Sequence, residues 1–454
     1  MNKKYDILII GSGPVGLFFA IKMAINGIKT LVVEKDRLED LGKRYDIFHL
    51  PLDLLLKQDF INNNIDEFGI ISSFQKSISR SSFDRFPKVT NKNILGIHRH
   101  IFLRKLVDLA KEKGVEFYFN SQYLSLIYDK EGKICGAKIK NNENEDEIFS
   151  KLIIDASGIE SVVRKDLKDR FIERFDIGSK DKFYVVLNYI KFDNPEKDKV
   201  NFPVGWPYYK TWIAPSHDKE GAIIGIGSNY SFEYAEYCLK KFLSKIKLPS
   251  FKVQYSEKSC TPYHRFLYSF VSDNFIVLGD AACLTDPMNG EGIALGWFHA
   301  NIAAEIIKDN FKNNIKLKKE NLWQINKKFY DQLGSKLIFL FSLLPYIVNC
   351  SEEENDYEFE KSIIFVNDKE NPLKFIFIKL INGLFHKKLK FKTVYSILKG
   401  LFLAFKILIH HKKYPANPKK FDRWALKSDK IWSNIKSMAD VSLADYESFQ
   451  KGVY

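Results

Sequence analysis

The chain has 454 residues, with 70 Lys and Arg against 56 Asp and Glu, so its formal net charge at pH 7 is +14. Its 45% hydrophobic and 28% charged residues are typical of a folded globular protein and exclude a disordered chain. Its five cysteines contain no C-x-x-C pair, so the sequence predicts neither a metal site nor a disulfide framework.

Residues 5–34 have the pattern of a strand, a glycine-rich loop, a helix and a second strand that ends in an acid. The loop contains Gly11, Gly13, Val15 and Gly16. Such glycines permit a tight turn, close approach of a pyrophosphate and close packing of the helix, whose N-terminus faces the phosphates. Glu34 would accept hydrogen bonds from a ribose diol. The pattern predicts a bound dinucleotide, and because the first strand runs straight into the loop we expect no secretory signal.

Two later segments extend this pattern. Residues 152–164 read as a buried strand with an acid and a glycine at its carboxyl end, and residues 275–293 read as another strand followed by a loop and a helix start. In order and spacing, the three segments resemble the flavoprotein family that includes p-hydroxybenzoate hydroxylase and the geranylgeranyl reductases. The resemblance implies that the dinucleotide is FAD. It implies cofactor contacts at Asp155, Gly158, Gly279, Asp280, Pro287, Gly290, Gly292 and Ile293.

The resemblance also implies roles for individual residues. Asp280 would hold the ribityl chain of FAD, and the N–H groups of Gly292 and Ile293 would face the flavin pyrimidine edge, where negative charge develops on reduction. Arg99 matches an Arg-x-x-Phe helix that touches the cofactor in the family. The backbone at Tyr123 would contact the adenine.

The fold class implied is α/β: a Rossmann-like FAD-binding domain with an inserted antiparallel β-sheet substrate domain and a C-terminal helical subdomain. We expect the FAD-binding domain over residues 1–168 and 262–310, the inserted domain over 169–261 and the helical subdomain over 311–454. Residues 221–227 read as a strand and not as a second nucleotide-binding loop. The electron donor would therefore come from outside, as NAD(P)H or a ferredoxin-like protein.

One stretch of the inserted domain resembles the Tyr-x-Trp-x-Phe-Pro segment of geranylgeranyl reductases. By that resemblance Tyr209, Trp212 and Pro215 are candidate substrate contacts, although the phenylalanine is replaced and the tyrosine lies one position early. An ordinary aromatic sheet face is the alternative.

The segment after Glu34 departs from the family, whose members usually have a Cys-Gly pair beside the flavin. This sequence has Arg44, Tyr45 and Asp46 there and no cysteine. We expect Arg44 to contact the cofactor. The residues do not identify a proton donor: Tyr45, Asp46 and Glu291 are weak candidates, and a flavin-bound water is equally plausible.

The positive charge is concentrated in residues 374–420, where lysines alternate with apolar residues and no Asp or Glu occurs, which leaves +2 for the rest of the chain. The twelve lysines are Lys374, Lys379, Lys387, Lys388, Lys390, Lys392, Lys399, Lys406, Lys412, Lys413, Lys419 and Lys420. The pattern favours helices lying in an anionic membrane interface over a solvated basic surface, and without a groove-reading motif we expect no nucleic acid.

No uncharged stretch reaches the ~18 residues that a spanning helix requires, so we expect a cytoplasmic protein peripherally associated with a membrane. Residues 414–418, followed by Trp424, resemble the C-terminal end of the archaeal geranylgeranyl reductases.

The function implied by the resemblance is FAD-dependent reduction of isolated double bonds in geranylgeranyl chains of membrane lipids or related isoprenoids. Hydride from reduced flavin would reach one alkene carbon and a proton the other, in a slot that excludes water. Two alternatives stay open: a flavin-dependent monooxygenase acting on an apolar substrate, and a non-catalytic prenyl-binding carrier.

Overall fold

The structure, a computed structural model, describes residues 4–43, 47–61, 65–141, 144–288, 290–363 and 372–452, with side chains from residue 376 in the last range. Its strands are β1 (Lys4–Ile10), β2 (Thr30–Val33), β3 (Ile47–Pro51), β4 (Ile70–Ser79), β5 (Lys88–His98), β6 (Glu116–Tyr118), β7 (Ser121–Tyr128), β8 (Ile134–Asn141), β9 (Asn144–Asp155), β10 (Lys182–Phe192), β11 (Val204–Trp206), β12 (Thr211–Pro215), β13 (Gly221–Ser228), β14 (Phe251–Pro262), β15 (Val271–Ser272) and β16 (Phe275–Val277).

Helices connect and cover these strands. They are α1 (Pro14–Ile25), α2 (Leu52–Leu56), α3 (Arg99–Glu112), α4 (Val162–Asp166), α5 (Phe232–Lys245), α6 (Ile293–Lys312), α7 (Lys319–Phe329), α8 (Ser335–Ile347), α9 (Glu352–Glu360), α10 (Pro372–Phe385), α11 (Phe391–His411), α12 (Phe421–Trp432) and α13 (Met438–Gln450).

The first sheet has the strand order β15-β16-β9-β1-β2-β6, with β8 joining β9 to β7. The strands β16, β9, β1, β2 and β6 run parallel, so their carboxyl ends meet at one edge. The run of Ile and Leu in β1 is buried because helices cover the sheet, as expected for parallel strands. This edge is where nucleotides bind in open α/β sheets.

The second sheet has the order β14-β10-β13-β12-β11-β4-β5-β3 and is antiparallel except where β11 meets β4. Residues 221–227 lie in β13, which confirms that they form a strand. One face packs on α5 through alternate residues such as Val186, Ile213 and Ile224; we call it the helix-covered face. The opposite face carries Phe183 and Trp212, and we call it the aromatic face.

The second sheet takes β3, β4 and β5 from residues 47–98, far upstream of the expected insertion. The boundaries at residues 168 and 261 therefore do not separate all strands of one sheet from all strands of the other, and they stay a proposal. The α/β fold class with two sheets and a C-terminal helical region is the one expected from the sequence, and it is confirmed.

The C-terminal helices are fixed to the first sheet by the segment that follows α11. Tyr414 Oη donates to the Tyr268 carbonyl (2.9 Å), and its ring stacks on Tyr330 at 4.1 Å. Trp323 Nε1 donates to the Pro415 carbonyl (2.8 Å). Because these groups are buried, each hydrogen bond holds the helical region in one position.

Candidate cofactor site

The glycine-rich loop after β1 has two glycines that packing requires and one that leaves space. At Gly11, φ is +105°, and a Cβ would lie 2.3 Å from the Ala156 carbonyl oxygen. At Gly16 a Cβ would lie 2.3 Å from the Gly11 carbonyl oxygen. Within the described part of the chain, no atom lies within 4 Å of a Cβ built on Gly13, the N-cap of α1. Gly13 thus leaves open the place where the first N–H groups of α1 can meet an anion.

Glu34 follows β2 and lies against this loop. Its Oε2 accepts from the Ser12 backbone N–H (2.7 Å) and from Ser12 Oγ (2.8 Å), and its Oε1 accepts from the Asp36 N–H (3.0 Å). The carboxylate is buried beside the opening at Gly13, which is the arrangement needed to hold a ribose next to a pyrophosphate.

The N-terminus of α6 lies against that of α1. A Cβ on Gly296 would be 2.4 Å from Val15 Cγ2, and one on Gly279 would be 3.3 Å from Val15 Cβ. Trp297 Nε1 donates to the Pro14 carbonyl (2.9 Å), and its ring stacks on Phe18 at 4.6 Å. Two helix N-termini therefore converge on one groove. Sequence reasoning missed Trp297, whose only signal is its place in the first turns of α6.

Asp280, Gly292 and Arg99 come together at the end of the groove. A Cβ on Gly292 would be 3.0 Å from Asp280 Oδ1. Burial raises the pKa of the Asp280 carboxyl to about 6, and the charge of Arg99, which opens α3, opposes this shift. A carboxyl near a cation can accept hydrogen bonds from the hydroxyl groups of a polyol chain.

The loop between Asp286 and Gly292 is held by its own backbone. The Asp286 N–H donates to the Glu291 carbonyl (3.0 Å), and the Gly290 N–H donates to the Asp286 carbonyl (2.9 Å). Tyr263 Oη donates to the Pro287 carbonyl (2.9 Å) and so ties the loop to the end of the second sheet. These bonds position Ile293 as the first residue of α6.

The Asp155 carboxylate stabilises the loop that follows β9. Its Oδ1 accepts from the N–H (3.0 Å) and Oγ (2.6 Å) of Ser157, and its Oδ2 accepts from the Arg164 N–H (2.7 Å). Burial raises the pKa of this carboxyl, and the three hydrogen bonds oppose the shift. The bonds support the loop on which Gly11 packs. Gly158, with φ +73°, has no atom within 4 Å of a built Cβ and faces open space.

The remaining predicted cofactor residues are less closely connected to the groove. Tyr123 lies in β7, and its Oη donates to Asp166 Oδ2 (2.7 Å), so its side chain serves the packing of α4. Arg44, Tyr45 and Asp46 lie outside the described residues. Of the three proton-donor candidates, the structure describes Glu291, which is partly buried.

On the aromatic face of the second sheet, two glycines make room for two rings. A Cβ on Gly225 would lie 2.2 Å from Trp212 Cε2, and one on Gly227 would lie 1.8 Å from Phe183 Cε1. Tyr263 stacks on Phe183, with ring centroids 4.9 Å apart. Because Tyr263 also binds the loop at Pro287, the Phe183–Tyr263 pair joins the aromatic face to the cofactor loop. We call Trp212, Phe183 and Tyr263 the aromatic wall.

The other two candidate substrate residues lie elsewhere. Tyr209 Oη donates to Glu352 Oε1 (3.0 Å), and its ring contacts Phe242 of α5, on the helix-covered face. Pro215 is three residues beyond Trp212 in β12, so the alternation of a strand turns it away from the aromatic face. The structure does not bring the three residues together. Sequence reasoning missed Phe183 and Tyr263, for which Gly225 and Gly227 were the available signal.

Comparison with known proteins agrees with this geometry. Residues 4–309 match the model of the FAD binding domain family. The digeranylgeranylglycerophospholipid reductase of Thermoplasma volcanium is 28% identical over 327 residues, which cover 68% of this chain and 79% of that protein. The enzyme of the same name from Sulfolobus acidocaldarius is 21% identical over 462 residues, covering 94% and 97%. These relatives confirm the resemblance inferred from the sequence.

Solved structures show the same fold. A geranylgeranyl bacteriochlorophyll reductase-like protein from Thermoplasma acidophilum superposes with a TM-score of 0.64 at 19% identity, covering 90% of this chain and 98% of that one. The myxobacterial FAD-dependent halogenase CndH superposes with a TM-score of 0.62 at 16% identity, covering 88% and 97%.

Proposed function

The chain belongs to the FAD binding domain family, and from that premise we propose that it reduces isolated double bonds in geranylgeranyl chains of membrane lipids. FAD is its cofactor, and the protein is an FAD-dependent oxidoreductase. The observation that carries the choice of substrate is the aromatic wall, an apolar surface that continues from the cofactor loop along the second sheet. The names of the archaeal relatives support the same choice.

The groove between the two helix N-termini fits FAD. The open space at Gly13 admits a pyrophosphate, and Glu34 lies where a ribose would follow. We propose that Asp280 holds the ribityl chain and that the N–H groups of Gly292 and Ile293 face the flavin, with Arg99 beside them. When bound and reduced, FAD supplies the hydride for the alkene.

The aromatic wall would bind a prenyl chain and exclude water from it. An isolated alkene carries no polar group, so its orientation depends on shape and on the burial of apolar area, at about 25 cal/mol for each Å² removed from water. Trp212 packs against Gly225 and Phe183 against Gly227, so both rings lie close to the sheet. Glu291, beside Gly292, is the described candidate for the group that holds the proton; Tyr45 and Asp46 are the others.

The partners follow from this chemistry. A reductase of prenyl lipids takes a lipid substrate and an electron donor. We propose that the donor is external, either NAD(P)H or a ferredoxin-like protein, since the described residues hold one glycine-rich loop of the dinucleotide type. We further propose that the enzyme works in the cytoplasm at the surface of a membrane, because such a substrate does not cross water.

Anaerobic turnover tests the proposal. Purified flavoprotein is reduced with NAD(P)H or with a reduced ferredoxin, supplied with geranylgeranyl lipid, and the extracted lipid is examined by mass spectrometry. The expected result is a gain of two hydrogens per reduced double bond. A protein that leaves the lipid unchanged without oxygen but inserts oxygen in air is a monooxygenase. A colourless protein that does not take up FAD would support the carrier alternative.

A further inference from the structure

Helix α11 exposes a row of apolar side chains to solvent. The row consists of Phe391, Tyr395, Leu398, Phe402 and Ile409, whose exposed fractions lie between 36% and 72%. Their spacings of three, four and seven residues keep them on one line along a helix. We call this row the apolar ridge. Single exposed apolar residues are ordinary on protein surfaces, whereas a contiguous row of them marks an interaction site.

A row of lysines runs beside the apolar ridge. Lys392, Lys399 and Lys406 are seven residues apart, which is about two helical turns, and all three are exposed. Lys392 and Lys399 each follow a member of the apolar ridge directly, so the lysine row is turned from it by about 100°. We call this row the lysine ridge. No carboxylate occurs between residues 374 and 420 to neutralise it.

The opposite face of α11 packs on α8. A Cβ on Gly400 would lie 2.5 Å from Tyr346 Cβ, so the two helix backbones approach closely there. At the edge of the apolar ridge, three residues from Phe402, the ring of Phe405 also lies 5.1 Å from that of Phe339 in α8. Among the described residues, α11 is the one helix long and apolar enough to cross a membrane by length and composition, yet 44% of its 18-residue window is buried in the protein. Spanning a membrane would break these contacts.

We propose that the apolar and lysine ridges dock the protein onto an anionic lipid bilayer, with α11 lying in the plane of its surface. The apolar ridge enters the interface and the lysine ridge contacts lipid phosphates, as amphipathic interfacial helices do. Phe385, at the end of α10, is 81% exposed and is followed by the exposed Lys387 and Lys388, so this turn also combines an apolar side chain with lysines.

This arrangement deepens the proposed function and rests on it for one step, that the substrate comes from a membrane. Helix α8 lies between the docked helix and the site. On one side it packs on α11, and on the other its Phe341 ring is 6.3 Å from Tyr263 of the aromatic wall. Apolar side chains of α8 thus connect the docked helix to the aromatic wall.

Vesicle binding tests the inference. The flavoprotein is mixed with vesicles of phosphatidylcholine, with or without phosphatidylglycerol, and bound protein is measured by sedimentation. Lys392→Gln/Lys399→Gln/Lys406→Gln is expected to bind anionic vesicles roughly 100-fold more weakly, since each lysine near an anionic surface contributes about fivefold. Phe391→Ser/Phe402→Ser is expected to weaken binding to both vesicle types. Flavin absorbance is expected to stay unchanged in both variants.

The matched control neutralises three exposed lysines in loops that connect strands of the second sheet, Lys197→Gln/Lys199→Gln/Lys219→Gln, and is expected to bind as the unmodified protein does. Unchanged binding of the α11 lysine variant would overturn the inference, as would wild-type protein that resists alkaline extraction, because a spanning helix resists it. A dimer that is lost in Phe391→Ser/Phe402→Ser, without vesicle binding, would assign the ridge to a second copy.

Activity separates this inference from the proposed function. The α11 lysine variant is expected to reduce lipid in detergent micelles normally and lipid in vesicles poorly. If wild-type protein reduces lipid in neither, the proposed function fails, while the sedimentation data still decide whether α11 docks on membranes.

Discussion

The two sheets contribute to the cleft in different ways. The first sheet contributes through the ends of its parallel strands, where main-chain groups and helix N-termini meet at Gly11 and Gly13. The second contributes through one face, where Phe183 and Trp212 lie over Gly227 and Gly225 of the neighbouring strand. Gly11 and Gly13 serve the backbone or the ligand, whereas Gly225 and Gly227 make room for a neighbour's side chain. The comparison predicts that replacing a glycine by alanine has different consequences in the two sheets.

The largest effect is expected for Gly11→Ala. Its φ of +105° disfavours any side chain, and the new Cβ would meet the Ala156 carbonyl at 2.3 Å, so both the turn and its packing on the β9 end must change. We expect a loss of more than about 3 kcal/mol in unfolding free energy and loss of bound FAD. Urea unfolding and the ratio of flavin to protein absorbance measure the two.

Gly13→Ala is the matched partner, because its Cβ meets no atom of the residues that the structure describes. We expect it to fold as the wild type does and to bind FAD at least about tenfold more weakly, since the methyl group would occupy the space left for the pyrophosphate. Titration of the FAD-free protein with FAD measures the affinity. Normal FAD affinity in Gly13→Ala would mean that the space at this glycine is not the phosphate site.

On the second sheet, Gly227→Ala is expected to cost about 1–3 kcal/mol, because the Phe183 ring must move out of the position that the methyl group takes. FAD content is expected to stay normal while lipid reduction falls, since the aromatic wall is disturbed. Gly205→Ala in β11 is the control: the nearest atom to its Cβ is 4.0 Å away, so it changes neither property. Loss of FAD in Gly227→Ala would contradict the separation of roles between the sheets.

Asp280, at the edge of the first sheet, makes the unfolding free energy of the protein depend on pH. Its pKa of about 6 in the folded protein exceeds that of an unfolded aspartate, so the folded state binds the extra proton. Stability therefore falls as the pH rises from about 4 to about 6, by about 3 kcal/mol at most. Asp280→Asn is expected to remove this component. Urea unfolding of the FAD-free protein at several pH values measures it, and an unchanged pH profile in the variant would exclude Asp280 as its source.

The parts of the site that the sequence predicted are those whose geometry is local in the chain. Gly11, Gly13 and Gly16 lie within six residues, and the strand before them and the helix after them fix what each glycine must do. The position of Glu34 beside this loop follows because β2 pairs with β1 in parallel. The glycine-rich turn and the β1–α1–β2 crossover are thus enough to predict most of the residues on the nucleotide-binding side of the groove.

The aromatic wall could not be predicted in the same way. Phe183, Trp212 and Tyr263 come from β10, β12 and the end of β14, and only the register between strands places them on one face. Tyr209 was grouped with Trp212 because it is near in sequence, but the turn before β12 directs it to the helix-covered face. The membership of β3 to β5 in the second sheet could not be predicted for a similar reason. It depends on the pairing of β4 with β11, a tertiary contact that a local sequence pattern does not indicate.

The smallest expected effect concerns Trp297, which joins the helix N-termini of the first sheet. Trp297→Phe keeps a ring against Phe18 and loses the hydrogen bond to the Pro14 carbonyl, so we expect a loss of about 1 kcal/mol in unfolding free energy. FAD affinity is expected to fall several-fold, because Pro14 is the first residue of the helix that meets the phosphates.

Trp206→Phe is the same change on the second sheet, where Nε1 donates to Asp84 Oδ1 (3.0 Å). This variant is expected to lose about as much stability as Trp297→Phe, without any loss of FAD affinity. Parallel unfolding curves and FAD titrations of the two variants compare the sheets directly. If both variants weaken FAD binding equally, the loss of FAD affinity follows from lower overall stability and not from the position of the helix. The difference between the two sheets would then not extend to cofactor binding.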